Sequence, residues 1–241
     1  GYMTDPVLGE QWLVRKYNSA GLLLWSRLYD VPVAGAADRA TGVDTDNAGR
    51  IFVGGWETTA AQGKNWRIRM YNPDASYPGW FFPSYDNPDS ADDIADSLTV
   101  DSFGRVIMAG AEDRTLSSQG WNWRVISYNS TSGAQLASVT YDSPASLDDR
   151  AFAVVADGCG NLIAAGMETH PTEGINRVVR KWGPDGLILW TVTESGAGAD
   201  ADEVRLAGER ADDGEVPDDA DAAPPERQRV GVARSTLHRV A

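Results

Sequence analysis

The sequence predicts an all-β fold assembled from repeated, four-stranded antiparallel meanders, and three observations carry that prediction. First, Asp46-Asn-Ala-Gly-Arg-Ile-Phe-Val-Gly-Gly55 returns as Asp101-Ser-Phe-Gly-Arg-Val-Ile-Met-Ala-Gly110 and again as Asp157-Gly-Cys-Gly-Asn-Leu-Ile-Ala-Ala-Gly166. The spacings are 55 and then 56 residues, and a near-constant period of that size marks a repeat architecture. Second, Trp12, Trp66 and Trp123, with Arg177 in the fourth copy, each stand five residues before Tyr17, Tyr71, Tyr128 and Trp182. Large apolar and basic residues alternate between them, as in Trp66-Arg-Ile-Arg-Met-Tyr71, which is a strand period. Third, a turn ending in Gly21, Gly79, Gly133 or Gly186 follows each of these runs and leads to Trp25, Trp80, Leu136 or Trp190. Four short strands in roughly 50 residues have the size of one propeller blade.

The copy at 38–86 shows how one unit reads. Residues 41–46 form a short first strand, and Asn47-Ala-Gly49 turns, with glycine free to take positive φ. Ile51-Phe-Val53 is β-branched and aromatic, the composition of a buried strand, which Gly54-Gly55 is expected to end. A polar loop over 57–64 then leads into the strand of Trp66, and Trp80-Phe-Phe82 opens a fourth strand. Units at 93–142 and 149–195 follow the same plan, and 1–29 supplies a loop and the last two strands of an incomplete blade. Gly1-Tyr-Met-Thr aligns with Gly55-Trp-Glu-Thr, so the chain is expected to enter in mid-blade, as part of a longer parent. Connectors beginning at Tyr29, Tyr85 and Tyr141 each hold an Asp, a Pro and a terminal Asp, and carry the chain from one unit to the next.

The repeat region spans 1–203. After Glu203 the pattern stops, and 204–241 is an acidic, then basic, low-complexity segment with no aromatics. Such a segment cannot bury enough surface to offset its ordering entropy, so it is expected to be disordered. The abrupt break also fits a shifted reading frame or an artificial gene boundary.

The chain has 241 residues and a formal net charge of −14, which argues against nucleic acid as a partner. The arginines between the tryptophans are expected to lay their stems along the sheet and hold their heads in water. No run of apolar residues is long enough for a membrane-spanning helix. Cys159 is the single cysteine, so no internal disulfide forms.

The repeat residues resemble those of the short bacterial β-propeller repeat proteins, the SBBP-type family. The matching residues are Asp148-Asp-Arg-Ala151, Asp157-Gly-Cys-Gly-Asn161, Gly166, Arg180-Lys-Trp182 and Gly186 to Trp190. The resemblance covers roughly 1–203 and implies a partial propeller of secreted or cell-surface, bacterial origin. It brings no catalytic motif with it. A full ring is expected to need about seven such units.

Candidate chemistry centres on the connectors. Asp86, Asp92 and Asp93, with Asp89 close by, and Asp142, Asp148 and Asp149 are hard oxygen ligands suited to calcium. They lack the Asp-x-Asp-x-Asp-Gly spacing of a calcium loop, and the competing reading is that they cap turns through the backbone. Asp46, Asp101 and Asp157 read as hairpin-turn residues. His170 and His238 are the only histidines, neither at a repeat position, and no Gly-x-Ser-x-Gly elbow occurs. No catalytic residue and no required cofactor are therefore assigned.

Two functions remain open. One is a non-enzymatic surface or secreted module that binds an extracellular protein or a glycan through the loops at 57–64, 112–120 and 168–174, which differ between copies. The other is a polysaccharide hydrolase or lyase with carboxylates, Asp92 or Asp148 among them, in the channel. A structural spacer in a larger surface protein stands behind both. Open end faces of an unclosed arc are expected to self-associate.

Overall fold

A computed structural model describes residues 1–29, 33, 36–77 and 82–195. The described residues are all-β, without an α-helix, and form four small antiparallel sheets. Among the described residues no helix is long and apolar enough to cross a membrane.

The first sheet is β1 (Tyr2–Asp5), β2 (Gly9–Tyr17) and β3 (Leu23–Tyr29), in chain order. The second is β4 (Arg39–Thr45), β5 (Ile51–Thr59) and β6 (Gly63–Tyr71). The third holds four strands, β7 (Asp93–Val100), β8 (Arg105–Asp113), β9 (Trp121–Asn129) and β10 (Gln135–Tyr141). The fourth holds β11 (Arg150–Ala156), β12 (Leu162–His170), β13 (Gly174–Trp182) and β14 (Ile188–Ser195). Each strand pairs with its neighbour in sequence, so every sheet is a simple meander.

Two points differ from the sequence reading. The first segment has three strands, because Tyr2–Asp5 pairs with β2 where a loop was expected. The second strands do not end at Gly55, Gly110 and Gly166 but run on to Thr59, Asp113 and His170. The loops read from Glu57, Glu112 and Glu168 are therefore strand for their first residues. In the second sheet, Trp80 and Phe81 lie outside the described residues, and so does the whole segment 204–241. What is described there is a two-bond bridge between Trp66 and Tyr85, 3.0 and 3.1 Å.

The reason the strands pass their glycines lies in a bulge. The first strand of each of the last three sheets slips register between Ala40 and Gly42, between Ala95 and Ser97, or between Ala151 and Ala153. Opposite each slip stands Gly55, Gly110 or Gly166. A Cβ there would lie 2.0, 2.0 or 1.9 Å from the carbonyl oxygen of Arg39, Ile94 or Arg150. The glycine lets two backbones approach, and pairing resumes beyond it.

The apolar core lies between successive sheets. Trp12 and Val14 meet Ile51, Val53 and Tyr71. Phe52, Trp66, Ile68 and Met70 meet Val106, Met108, Ile126 and Tyr128. Ile107, Trp123 and Val125 meet Leu162, Ala164, Val178 and Trp182. Trp12, Trp66 and Trp123 are fully buried, and each removes on the order of 200 Å² from water, about 5 kcal/mol of transfer free energy. The indole N–H groups of Trp12 and Trp123 donate to the carbonyls of Trp56 and Met167 on the following sheet, at 2.9 and 2.7 Å. Trp12 and Trp123 thus pack and anchor one sheet to the next, while Trp66 packs with its buried indole N–H unserved among the described residues. First strands are also neighbours: β4 lies beside β7, and β7 beside β11.

Candidate functional site

The hairpins β5–β6, β8–β9 and β12–β13 close on the same side of their sheets as the connectors 86–92 and 142–148. The two sets are fastened together. Lys64 pairs with Asp92 at 2.5 Å, and Asp92 Oδ1 also accepts from Lys64 N at 3.0 Å. Asp148 Oδ1 accepts from Trp121 N at 3.1 Å. Asp89 takes Arg114 at 3.2 Å and the Ser117 hydroxyl at 2.8 Å. The three-residue 3-10 turn Thr115–Ser117 sits in this hairpin, with Leu116 exposed.

The six candidate calcium ligands fall into three pairs with different surroundings. Asp92 and Asp148 are engaged by hairpin backbone, as just described. Asp93 and Asp149 are wholly buried. Asp93 Oδ2 accepts from Asn87 N and Oδ1 from the Asn87 amide, both 2.8 Å. Asp149 Oδ2 accepts from Ser143 N at 2.5 Å and Oδ1 from Thr169 N at 3.1 Å. The bonds from Asn87 and Ser143 tie the connector's start to its end, the turn-capping role, and the bond from Thr169 ties its end to β12. Burial nevertheless pushes Asp93 up to about 7, with Glu112 and Asp86 adding to the rise. Burial likewise raises Asp149 to about 6, helped by Asp142.

Asp86 and Asp142 form the third pair. Asp86 Oδ2 accepts from Gln62 Nε2 at 2.5 Å and Ser90 Oγ at 3.3 Å. Asp142 Oδ2 accepts from Gln119 Nε2 and Ser146 Oγ, both 3.2 Å. The other oxygen, Oδ1, is buried in both residues and has no hydrogen-bond partner.

Sequence reasoning missed the residues that stand next to these two. Asn65 and Asn122 precede the third-strand tryptophans. Because Trp66 faces Tyr85 and Trp123 faces Tyr141, Asn65 comes opposite Asp86, and Asn122 opposite Asp142. Both asparagines are almost fully buried, and the Oδ1 of each is without a partner. Asn176 holds the corresponding place in the fourth sheet, also buried with an unserved Oδ1. The signal was present, since an asparagine at a fixed offset in three copies is not a packing residue.

A second missed set is charged and buried. Glu57, Glu112 and Glu168 pair in register with Asn65, Asn122 and Asn176. Each accepts the hydroxyl of a connector tyrosine from the preceding sheet, Tyr29, Tyr85 or Tyr141. Arg67 pairs with Glu57 at 2.5 Å and Arg124 with Glu112 at 2.7 Å. The guanidinium of Arg69 lies 3.9 Å from the Tyr29 ring centre, and that of Arg180 3.8 Å from the Tyr141 ring centre. These arginine heads do not reach into water as expected. Arg67 and Arg124 neutralise carboxylates that would otherwise be stranded between sheets, and Arg69 and Arg180 cover tyrosine rings. Burial and the Glu57 bond push the Tyr29 phenol up to about 12, so it remains a donor.

The turn aspartates do the work read from the sequence. Asp46 Oδ1 accepts from Ala48 N and Arg50 N, Asp101 Oδ1 from Phe103 N and Arg105 N, and Asp157 Oδ1 from Cys159 N and Asn161 N, at 2.8–3.0 Å. Cys159 is free and exposed in that turn. His170 Nδ1 accepts from Glu173 N at 3.2 Å, closing its own hairpin. Among the described residues no three His, Cys, Asp or Glu gather in metal-binding geometry.

No protein-family model matches the chain, and a search of curated proteins found no match.

Proposed function

We propose that the four sheets are successive blades of a β-propeller, in an SBBP-like repeat module. Its role is non-enzymatic: it binds an extracellular protein or a glycan at the rim built by the hairpins and connectors. The meander order, the neighbouring first strands β4, β7 and β11, and the tryptophan anchors between sheets support the blade arrangement.

One observation carries the binding role. The frame is constant while the rim hairpins vary: residues 60–62 join β5 to β6, residues 114–120 join β8 to β9, and residues 171–173 join β12 to β13. Variation confined to loops on a rigid scaffold is the usual basis of recognition. The carboxylates proposed for a lyase or hydrolase, Asp92 and Asp148, are instead bonded to hairpin backbone. The outer sheets also expose apolar residues, Leu24 and Leu28 on one and Ile188 and Val192 on the other, which favours association of open faces.

A glycan array and a pull-down from extracellular extracts test the reading. Replacing 114–120 by a three-residue link should abolish capture while leaving the melting transition in place. Capture that survives the replacement, or no ligand in either screen, overturns the rim as the binding surface.

A further inference from the structure

Two junctions in the repeat hold paired buried oxygens that no group of the described residues serves. At the first, Asn65 Oδ1 and Asp86 Oδ1 come from facing positions of the second unit. The Gln62 side chain touches both residues, accepting from Asn65 Nδ2 at 3.1 Å and donating to Asp86 Oδ2 at 2.5 Å. At the second, Asn122 Oδ1 and Asp142 Oδ1 repeat the arrangement, and the next residue in the chain, Ser143, also has a buried, unserved Oγ. Asn65 and Asn122 are 2% and 3% exposed, so bulk water does not satisfy them.

The orphaned oxygens are acceptors, and each pair includes a carboxylate that forms no ion pair among the described residues. Asp93 and Asp149 add a second carboxylate close to each junction. A neutral donor would satisfy the lone pairs and leave the charge in place. A cation does both. Carboxylate, amide and hydroxyl oxygens without nitrogen or sulfur are the donor set of a hard cation, and the flexible coordination of Ca²⁺ accepts such a partial set completed by water.

We propose that each junction binds one calcium ion, through Asn65 and Asp86 at the first and through Asn122 and Asp142 at the second. Of the six aspartates that the sequence offered, only Asp86 and Asp142 then act as ligands. The site depends on the repeat geometry and not on the rim's ligand, so it stands apart from the proposed binding role. A calcium ion placed here ties the third strand of a blade to the connector that leads to the next.

The full chain, stripped with chelator, is titrated with Ca²⁺ by calorimetry and with Tb³⁺ by luminescence excited through Trp66 and Trp123. Two sites per chain are expected, with Kd on the order of 10⁻⁴–10⁻³ M, the range of extracellular calcium modules. Asp86→Asn and Asp142→Asn should each reduce the stoichiometry from two to one. Should either variant fail to fold, Asn122→Asp decides: an added carboxylate should tighten one site and make the melting temperature more dependent on calcium. Absence of saturable binding in the folded chain means that water fills the junctions, and overturns the proposal. So does a stoichiometry that neither aspartate variant changes, or an Asn122→Asp chain without tighter binding.

Discussion

Tyr85 donates its hydroxyl to Glu112 across the junction between the second and third sheets. Tyr29 and Glu57 make the same contact one junction earlier, and Tyr141 and Glu168 one junction later. The partners lie 27 or 28 residues apart. Arg124 holds Glu112 from the other side, so the carboxylate is charged, buried and saturated with donors.

Tyr85→Phe removes one charge-assisted bond and leaves the ring in place. Glu112 keeps Arg124, so the loss is that of a single bond to a charged acceptor, about 1.5–3 kcal/mol. The midpoint of denaturant unfolding should fall with an unchanged slope. An unaltered midpoint would mean that the hydroxyl finds water equally well and that the junction is held by packing alone.

Asp93 gives a pH dependence of definite sign. Its folded-state pKa is raised from 3.8 to about 7, so the folded chain holds a proton that the unfolded chain has released. Its contribution to stability therefore declines as pH rises from about 4 to 7, and is flat above that. In chelator, the stability of the native chain minus that of Asp93→Asn should fall across this window. At low pH the variant loses a bond from Asn87, and at high pH it is relieved of a buried charge. A difference that is constant with pH would show Asp93 to be charged throughout.

Asp157 behaves in the opposite sense. Burial raises its pKa, but Lys181, Asn161 and the turn backbone outweigh this and hold it at about 2. Its contribution is present above about pH 4 and disappears as pH falls through 2. Asp157→Ala should cost about 1–2 kcal/mol at pH 7, after allowance for partial exposure, and clearly less near pH 2. Urea unfolding at the two pH values is the check.

These residues also mark what could be read from the chain. Asp46, Asp101 and Asp157 were legible as turn residues because the aspartate and its backbone donors lie within four positions of each other. The third-strand tryptophans were legible as packing residues for a similar reason, the period-two pattern around them. Glu57, Glu112 and Glu168 were not. They come two residues after a glycine that reads as a strand end, and polar residues follow them, so they look like loop. What engages them is a tyrosine of the previous unit and, at Glu57 and Glu112, an arginine of the next strand, contacts that local periodicity does not encode. Asn65 and Asn122 were hidden in plain view, overshadowed by the tryptophans beside them. Of the connector aspartates, sequence gave six equals. Cross-strand register and an unserved Oδ1 separate Asp86 and Asp142 from the rest.

Gly110 offers the sharpest test of that register. A Cβ there would stand 2.0 Å from Ile94 O and 2.9 Å from the Ala95 Cα, both backbone atoms that no rotamer change can move. The slip between Ala95 and Ser97 would have to open to admit a methyl group, and Asp96, the extra residue of the bulge, would shift with it. Asp96 holds Arg150 of the next sheet at 2.6 and 2.7 Å, so the strain would reach the following junction. Gly110→Ala should therefore cost about 3 kcal/mol, at the upper end for overpacking. Gly158→Ala serves as the control, because a Cβ there meets nothing within 4 Å and should change little. Equal melting temperatures for the two variants would show that the bulge is not where the strands approach, and the glycine that closes each copy of the motif would need another cause.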